Sequence, residues 1–426
     1  MVETRVVVTG MGICAPNATE LKAFSDAIRH GVSGVRFDPQ LASLGFSCQL
    51  SARPEIGMQR LEKYFSPLEL KSMDSSGIAY GVIAALDAWD DAGLAIADQL
   101  EPDWDSGAVF GTGTSGVDKF RWAIGLIDQQ QIRRLGSSVV GQTMASGASA
   151  VISGKLGLGN RVGTNSSACA TGTESILMAY EHVKAGRAKR MLAGSTSDSG
   201  PYIWGGFDAM KVCTFKSNGH PGLASRPMSE SAGGFVPGSG AGAMVLESLE
   251  SALQRNARIY AEVLGGHVNS GGQRGGGTMT APNPASVQRC IRLAIESSGI
   301  ASGDIDLVNG HLTATSKDTM EIRNWTLALG RGGADFPYIN SIKGMIGHCL
   351  SAAGSIECVA SVLQLHQGFV FPNLNCQDLS SSISALVDPE RIPQQLIEGQ
   401  FDVLAKASFG FGDVNACLIL KKYKNG

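Results

Sequence analysis

Three residues of the 426-residue sequence have the type and the setting for nucleophilic chemistry: Cys169, His311 and His348. Asn165-Ser166-Ser167-Ala168-Cys169-Ala170-Thr171-Gly172-Thr173-Glu174 sets a thiol among small residues, just ahead of a run with helical periodicity from Ser175 to Val183. A thiol at a helix start meets unpaired backbone N–H groups and the positive end of the helix dipole. Both favour thiolate over a free thiol of pKa ~8.5. Each histidine follows a strand-like run and sits in a polar, glycine-flanked loop. One loop is Val308-Asn309-Gly310-His311-Leu312-Thr313-Ala314-Thr315; the other is Ser341-Ile342-Lys343-Gly344-Met345-Ile346-Gly347-His348. A cysteine taken alone is ordinarily a packing residue. A cysteine with two loop histidines is a nucleophile with groups that can manage protons and developing charge.

Other motifs lead nowhere. Gly111-Thr112-Gly113-Thr114-Ser115-Gly116 fits the glycine pattern of a dinucleotide site, but no acidic residue stands about 20 positions beyond it to take the ribose hydroxyls. No G-x-S-x-G elbow occurs, which weakens a hydrolase reading. The nine cysteines form no C-x-x-C pair and no zinc spacing with the seven histidines, so no metal is expected and the thiols read as reduced and mostly buried.

The elements that must position these residues alternate in type. Arg5 to Thr9 reads as a buried strand, Gly10-Met11-Gly12 as a turn, and Glu20 to His30 as a helix. A helix from Gly77 to Gly93, a strand at Gly107 to Phe110, the helix after Cys169 and a strand at Arg190 to Ala193 continue the series. A second series opens near Ala257, with strands at Ile259 to Leu264 and Ile305 to Val308 around a helix at Ala285 to Ser298. The expectation is an α/β layered fold. Ala170-Thr171-Gly172 is loosely echoed by Ala352-Ala353-Gly354, and the Gly/Ser/Pro-rich stretch 219–242 reads as a linker or as a functional or interface loop.

Apolar residues make up 43% of the chain and charged ones 17%, with a net charge of -3, so a large core is available and no basic field exists for nucleic acid or an anionic membrane. The thin surface charge points to a face covered by another subunit. Met1 to Val8 lacks the sections of a signal peptide and no apolar run reaches the ~18 residues of a membrane span, so the expected compartment is reducing, the cytoplasm.

Taken together, these segments resemble those of β-ketoacyl-acyl-carrier-protein synthases of types I and II, in the thiolase superfamily. The likeness covers nearly the whole chain: Arg5-Val6-Val7-Val8-Thr9-Gly10-Met11-Gly12, Ser225-Arg226-Pro227, Gly233-Gly234-Phe235-Val236 and Ser408-Phe409-Gly410-Phe411-Gly412 stand in the family's order. Phe207-Asp208-Ala209-Met210 and Ser166-Ser167-Ala168-Cys169 lean toward type I. The resemblance implies a thiolase-like fold of two pseudo-repeated halves in α-β-α-β-α layers. Residues 1–255 would carry the nucleophile and 256–426 the two histidines.

It further implies a decarboxylative Claisen condensation, in which Cys169 takes an acyl group from a carrier-protein phosphopantetheine arm and condenses it with malonyl-carrier protein. The backbone N–H groups of Cys169 and Phe411 would form an oxyanion hole, and the Phe411 ring a gate. His311 and His348 would hydrogen-bond the malonyl thioester oxygen. Lys343 would order the site with Glu357 as its acidic partner, Thr313 and Thr315 would meet the pantetheine arm, and Thr114 would line the acyl pocket. Lys71 and Lys211 match basic docking positions for acyl carrier protein. No dissociable cofactor and no membrane insertion are implied, and the implied second partner is a ketosynthase-type subunit, in a homodimer or a heterodimer.

Two related activities are weighed against this. A chain-length-factor-like subunit lacks the nucleophile that is present here. A coenzyme A-dependent thiolase needs a second reactive cysteine near the C-terminus, where Cys417 follows the synthase-like Gly410-Phe411-Gly412-Asp413-Val414-Asn415. The chain also departs from the family pattern. Leu312 replaces a glycine, which implies a narrowed pantetheine approach. Asp413-Val414-Asn415 replaces Gly-Thr-Asn, and the stretch from His311 to Asp318 is one residue short and lacks a proline, leaving Asp318 and Glu321 without an assigned role.

Overall fold

The structure, a computed structural model, describes residues 4–98 and 100–424. Ten strands form its main sheet: β1 (Val6–Cys14), β2 (Ser106–Thr112), β3 (Val162–Gly163), β4 (Arg190–Ser197), β5 (Gly240–Ser248), β6 (Ala261–Ser270), β7 (Leu307–Asn309), β8 (Tyr338–Asn340), β9 (Val403–Gly410) and β10 (Val414–Lys422). The spatial order is β3-β2-β4-β5-β1 followed by β6-β10-β9-β7-β8. Each set of five has the same arrangement. Its second strand in sequence pairs parallel with the third and fourth, its fourth antiparallel with the fifth, and its fifth antiparallel with the first. The sets join where Val6, Val7 and Val8 pair antiparallel with Val263, Glu262 and Ala261. This is the pseudo-repeat that the faint sequence echo hinted at.

Helices complete the layers. On the outer face of the first set lie α1 (Ser76–Asp91) and α2 (Gly147–Leu156); on that of the second lie α4 (Pro284–Ser297) and α5 (Asp318–Leu329). Between the sets run α3 (Thr171–Lys184) and α6 (Ala353–Gln367), which pack on each other and on strands of both halves. A helix buried all round must be apolar or paired. Every residue of α6 from Ala353 to Leu365 is buried, and its one acidic residue, Glu357, is held by two lysines.

The central helices begin at equivalent turns, 3-10 segments at Ala168–Ala170 and Leu350–Ala352, with Ala168 and Leu350 at φ 50° and 51°. They cross at their first turns because glycine stands at the contact. A Cβ on Gly172 would lie 2.2 Å from the Ser355 nitrogen, and one on Gly354 2.6 Å from the Thr173 nitrogen. The two N-termini thus converge on one point between the halves.

The predicted elements are present, most of them longer than their apolar patterns. One expectation is corrected: Gly10-Met11-Gly12 is not a turn but the middle of β1. Its glycines let α1 lie on the strand, since Cβ atoms there would stand 2.2 and 1.9 Å from the carbonyl oxygens of Ala88 and Ala84. Stretch 219–242 is no linker either, because it is bound to the loops that carry both histidines. Among the described residues no helix is long and apolar enough to cross a membrane.

Candidate active site

Cys169 sits in the 3-10 turn that leads into α3, His311 one residue past the end of β7 plus a glycine, and His348 at the turn leading to α6. All three are buried. The Cys169 sulfur and one ring nitrogen from each histidine lie within 4.8 Å of one another, and the two imidazole rings meet edge to face at 5.4 Å. The three residues share a cavity of ≈ 310 Å³ whose walls include Phe207, Phe235, Phe409, Phe411, Thr313 and Thr315. The same three donors could in principle hold a soft dication. The buried ammonium groups of Lys343 and Lys406 act electrostatically on both histidines, and so against a further positive charge there.

The expected activation of the thiol at the helix start is outweighed. Burial pushes the Cys169 thiol up to about 11, against the opposing pull of Lys343 and of the backbone N–H groups of Phe411 and Cys169 itself. The resting nucleophile is therefore a neutral thiol at neutral pH, and the N–H groups that face it are in place to stabilise charge when it forms. Burial, then Lys343, hold both histidines well below the ordinary imidazole range, with Lys406 acting in the same direction. Both rings are neutral.

Lys343 and Glu357, buried and ion-paired, stand behind the histidines, and the Lys343 ammonium also donates to the His311 carbonyl at 2.6 Å. Thr313 and Thr315 line the cavity with their hydroxyl oxygens 3.1 Å apart. Phe411 closes one side, its ring 5.9 Å from Phe207, which in turn stacks edgewise on Phe235 at 5.8 Å; Phe235 meets the His348 ring at 5.1 Å.

Other residues singled out from the sequence lie outside the cavity wall. Thr114 is exposed on the loop after β2 and is not part of the wall. Lys211 is exposed just after Met210, which reaches the cavity, whereas exposed Lys71 lies beside Leu70 and Met73 of a separate cleft. Leu312 does not narrow the approach: it is fully buried in the core of the second half, at φ 23°, facing away from the cavity. Cys417 is also fully buried, within β10, outside the site.

Several working residues escaped the sequence reading. Glu321 accepts from the N–H groups of His311 and Leu312 at 2.6 and 2.7 Å, and Asp318 accepts from those of Met228, Thr313, Ala314 and Thr315. These acids fold the histidine loop back over α5. Stretch 219–242 clasps the same loops: Ser225 donates to the Lys343 carbonyl at 2.6 Å, Gly234 N–H to the Ala314 carbonyl at 2.9 Å, and His348 is bonded on both sides, to Val236 and Gly238. Phe235 lay within a motif already singled out, and that was the available signal.

Comparison with known proteins agrees with this geometry. The family descriptions "Beta-ketoacyl synthase, N-terminal domain" and "Beta-ketoacyl synthase, C-terminal domain" match residues 3–252 and 260–377. The chain is 31% identical to 3-oxoacyl-[acyl-carrier-protein] synthase 2 of Vibrio harveyi over 99% of both chains. Among solved structures, the ishigamide ketosynthase/chain length factor is similar at TM-score 0.88 and 27% identity, with 99% of this chain and 100% of that one covered. A type II PKS acyl-carrier protein in complex with its ketosynthase bound to the hexaketide gives TM-score 0.86 at 27% identity, with the same coverage. A thiol, two imidazoles and an aromatic gate between two like halves, matched along almost the entire sequence, place this chain in the β-ketoacyl synthase family as an acyltransferase of thiolase-like fold.

Proposed function

We propose that Cys169, His311 and His348 carry out the family's decarboxylative condensation between an acyl group on Cys169 and malonate on acyl carrier protein. The convergence of the three donor atoms within 4.8 Å, inside an aromatic-walled cavity, is the observation that carries this reading. In the first step the Cys169 sulfur attacks the acyl-pantetheine carbonyl, and its proton leaves with the departing pantetheine sulfur. The N–H groups of Cys169 and Phe411 take the oxyanion.

In the second step the malonyl carboxylate departs as carbon dioxide, and its bonding pair forms an enolate whose oxygen accepts from the His311 and His348 rings. The carbon of that enolate attacks the Cys169 thioester. Collapse releases the β-ketoacyl carrier protein and a Cys169 thiolate, which takes one proton from water. Substrates arrive on the phosphopantetheine arm, so no dissociable cofactor takes part, and the Thr313 and Thr315 hydroxyls meet the arm's amides. Lys343 and Glu357 hold the His311 loop in place.

Lys211 and Lys71 are the basic candidates for docking the carrier protein, with Lys211 the better placed beside the cavity. A second ketosynthase-type subunit would cover the free edge of β3 and the exposed apolar residues Phe120, Trp122, Ile124 and Ile127, and would bring Thr114 under cover as an acyl-pocket residue. Nine free, buried cysteines suit a reducing compartment, the cytoplasm.

The test is intact-protein mass spectrometry after incubation with acyl-carrier protein. The wild type gains one acyl group and Cys169→Ala gains none. Acylation that persists in the variant removes Cys169 from the reaction.

A further inference from the structure

We propose that Lys406 is a positioning residue for this reaction: a second buried ammonium which, with Lys343, leaves an excess positive charge behind the cavity and so keeps His311 and His348 neutral hydrogen-bond donors. The inference rests on the functional reading above for its catalytic meaning, but its physical content stands separately.

Lys406 lies on β9, and Lys343 and Lys406 are both essentially unexposed. They share one acid. Glu357 pairs with Lys343 through one carboxylate oxygen, while its other oxygen lies 2.7 Å from the Lys406 nitrogen. Lys406 spends its hydrogen bonds elsewhere, on the Ala407 carbonyl and, at 2.9 Å, on the Ser408 hydroxyl, which Thr173 of α3 meets at 2.9 Å. Two ammonium groups against one carboxylate leave one positive charge in excess within this cluster, Glu321 on α5 being a further acid that Lys343 acts on. Burying a lone charge is costly, and such an arrangement is most readily explained where the field itself has a use.

That use is visible in what the cluster faces. A neutral imidazole donates to an enolate oxygen from its protonated nitrogen and keeps the other free to accept, as His348 Nδ1 accepts from the Leu350 N–H; a second proton on that ring would break this bond. A fixed positive charge nearby makes a second proton unfavourable. Burial is the largest force against a second proton on either ring and Lys343 the next, and Lys406 adds to both in the same direction. The other titratable groups about the rings are the Cys169 thiol and the α5 acids. The carboxylates of those acids accept backbone N–H bonds, and burial pushes Asp318 up to about 6 and Glu321 to about 7. These acids are common to every variant below, so differences between variants report the cluster.

The experiment follows ring protonation of His311 and His348 by two-bond ¹H–¹⁵N correlation in the histidine-labelled full chain, with malonyl-carrier-protein decarboxylation measured across the same pH range. In Lys406→Met both rings gain their second proton at higher pH than in the wild type, and the acid limb of decarboxylation moves up with them. Combining Lys406→Met with Glu357→Gln restores one excess positive charge, and the ring titrations return toward wild type. Glu357→Gln alone raises the excess and moves them lower, which tests the charge count even if Lys406→Met does not fold. Ring titrations that are the same in all variants, or a double variant that follows Lys406→Met, would overturn the proposal. If the wild type neither decarboxylates nor condenses while the rings shift as described, the functional reading fails and the electrostatic role stands.

Discussion

The backbone N–H of Leu350 donates to His348 Nδ1 at 3.1 Å. A neutral imidazole has one donor and one acceptor nitrogen, so this bond leaves the proton on Nε2. The turn that starts α6 therefore fixes the tautomer of the residue just ahead of it, much as the turn that starts α3 presents Cys169. His311 has no such constraint on Nδ1, which is buried without a hydrogen-bond partner among the described residues.

From this tautomer comes the first prediction. His348→Ala removes a donor aimed at the enolate oxygen but no group that the acyl-transfer step needs. Condensation falls by about 10²–10³-fold, as for other oxyanion donors, while acylation of Cys169 proceeds. Single-turnover mass spectrometry separates the two steps. Full condensation by the variant would show that the Nε2–H has no part in the reaction.

Cys169 supplies a prediction in pH. Its thiol is pushed up to about 11 by burial, and below that value the thiolate fraction rises about tenfold per pH unit. Alkylation of the free protein by iodoacetamide, followed at Cys169 by peptide mass spectrometry, climbs steadily through about pH 10, past the ordinary thiol range near ~8.5. A plateau below pH 8 would mean that the α3 dipole and the facing N–H groups prevail over desolvation.

How much of this was legible in the sequence follows from which forces are local. Apolar periodicity and glycine-flanked loops are local, so the strand-helix series and the Cys169, His311 and His348 segments could be found without coordinates. Desolvation is not local. The helix start at Cys169 was readable, whereas the burial that reverses its effect depends on α6 and β9 closing over it. Nothing in its own segment marks Lys406, because its partner Glu357 comes from α6 and meets it only in the folded chain. Asp318 and Glu321 had no readable role because their partners are backbone N–H groups of a loop whose shape they themselves determine. Gly10 and Gly12 misled for the related reason that a close helix contact and a turn both call for glycine.

Leu312 tests the corrected view of the histidine loop. Its side chain is fully buried in the second core and its φ of 23° is one that glycine adopts more readily. Leu312→Gly relieves about 1–2 kcal/mol of backbone strain but forfeits the larger burial term, about 2–5 kcal/mol for losing a core leucine side chain. The variant is destabilised, with a lower urea midpoint, and acyl transfer to Cys169 in the folded protein is unchanged. Faster acylation in the variant would restore the idea that this side chain narrows the approach.

Asp413 tests what holds the gate. Its carboxylate accepts from the N–H groups of Gln273 and Asn283 at 3.0 and 2.8 Å, and its carbonyl from Gly271 at 2.9 Å, while Gly412 donates to the Met279 carbonyl at 2.8 Å. Segment 271–283 contributes Thr280 and Pro282 to the cavity wall that Phe411 also lines, so this acid fastens two neighbouring parts of the wall together. Hydrogen bonds to a charged acceptor contribute about 1.5–3 kcal/mol each. In Asp413→Ala both side-chain bonds are lost and the position's φ of 63° is poorly suited to alanine, whereas Asp413→Asn keeps one acceptor oxygen and tolerates that φ. Hydrogen exchange of amides in 271–283 and at Phe411 therefore accelerates strongly in the alanine variant and weakly in the asparagine one. Equal exchange in wild type and Asp413→Ala would mean that the carboxylate does not restrain the gate, and that the packing of Phe411 on Phe207 holds it instead.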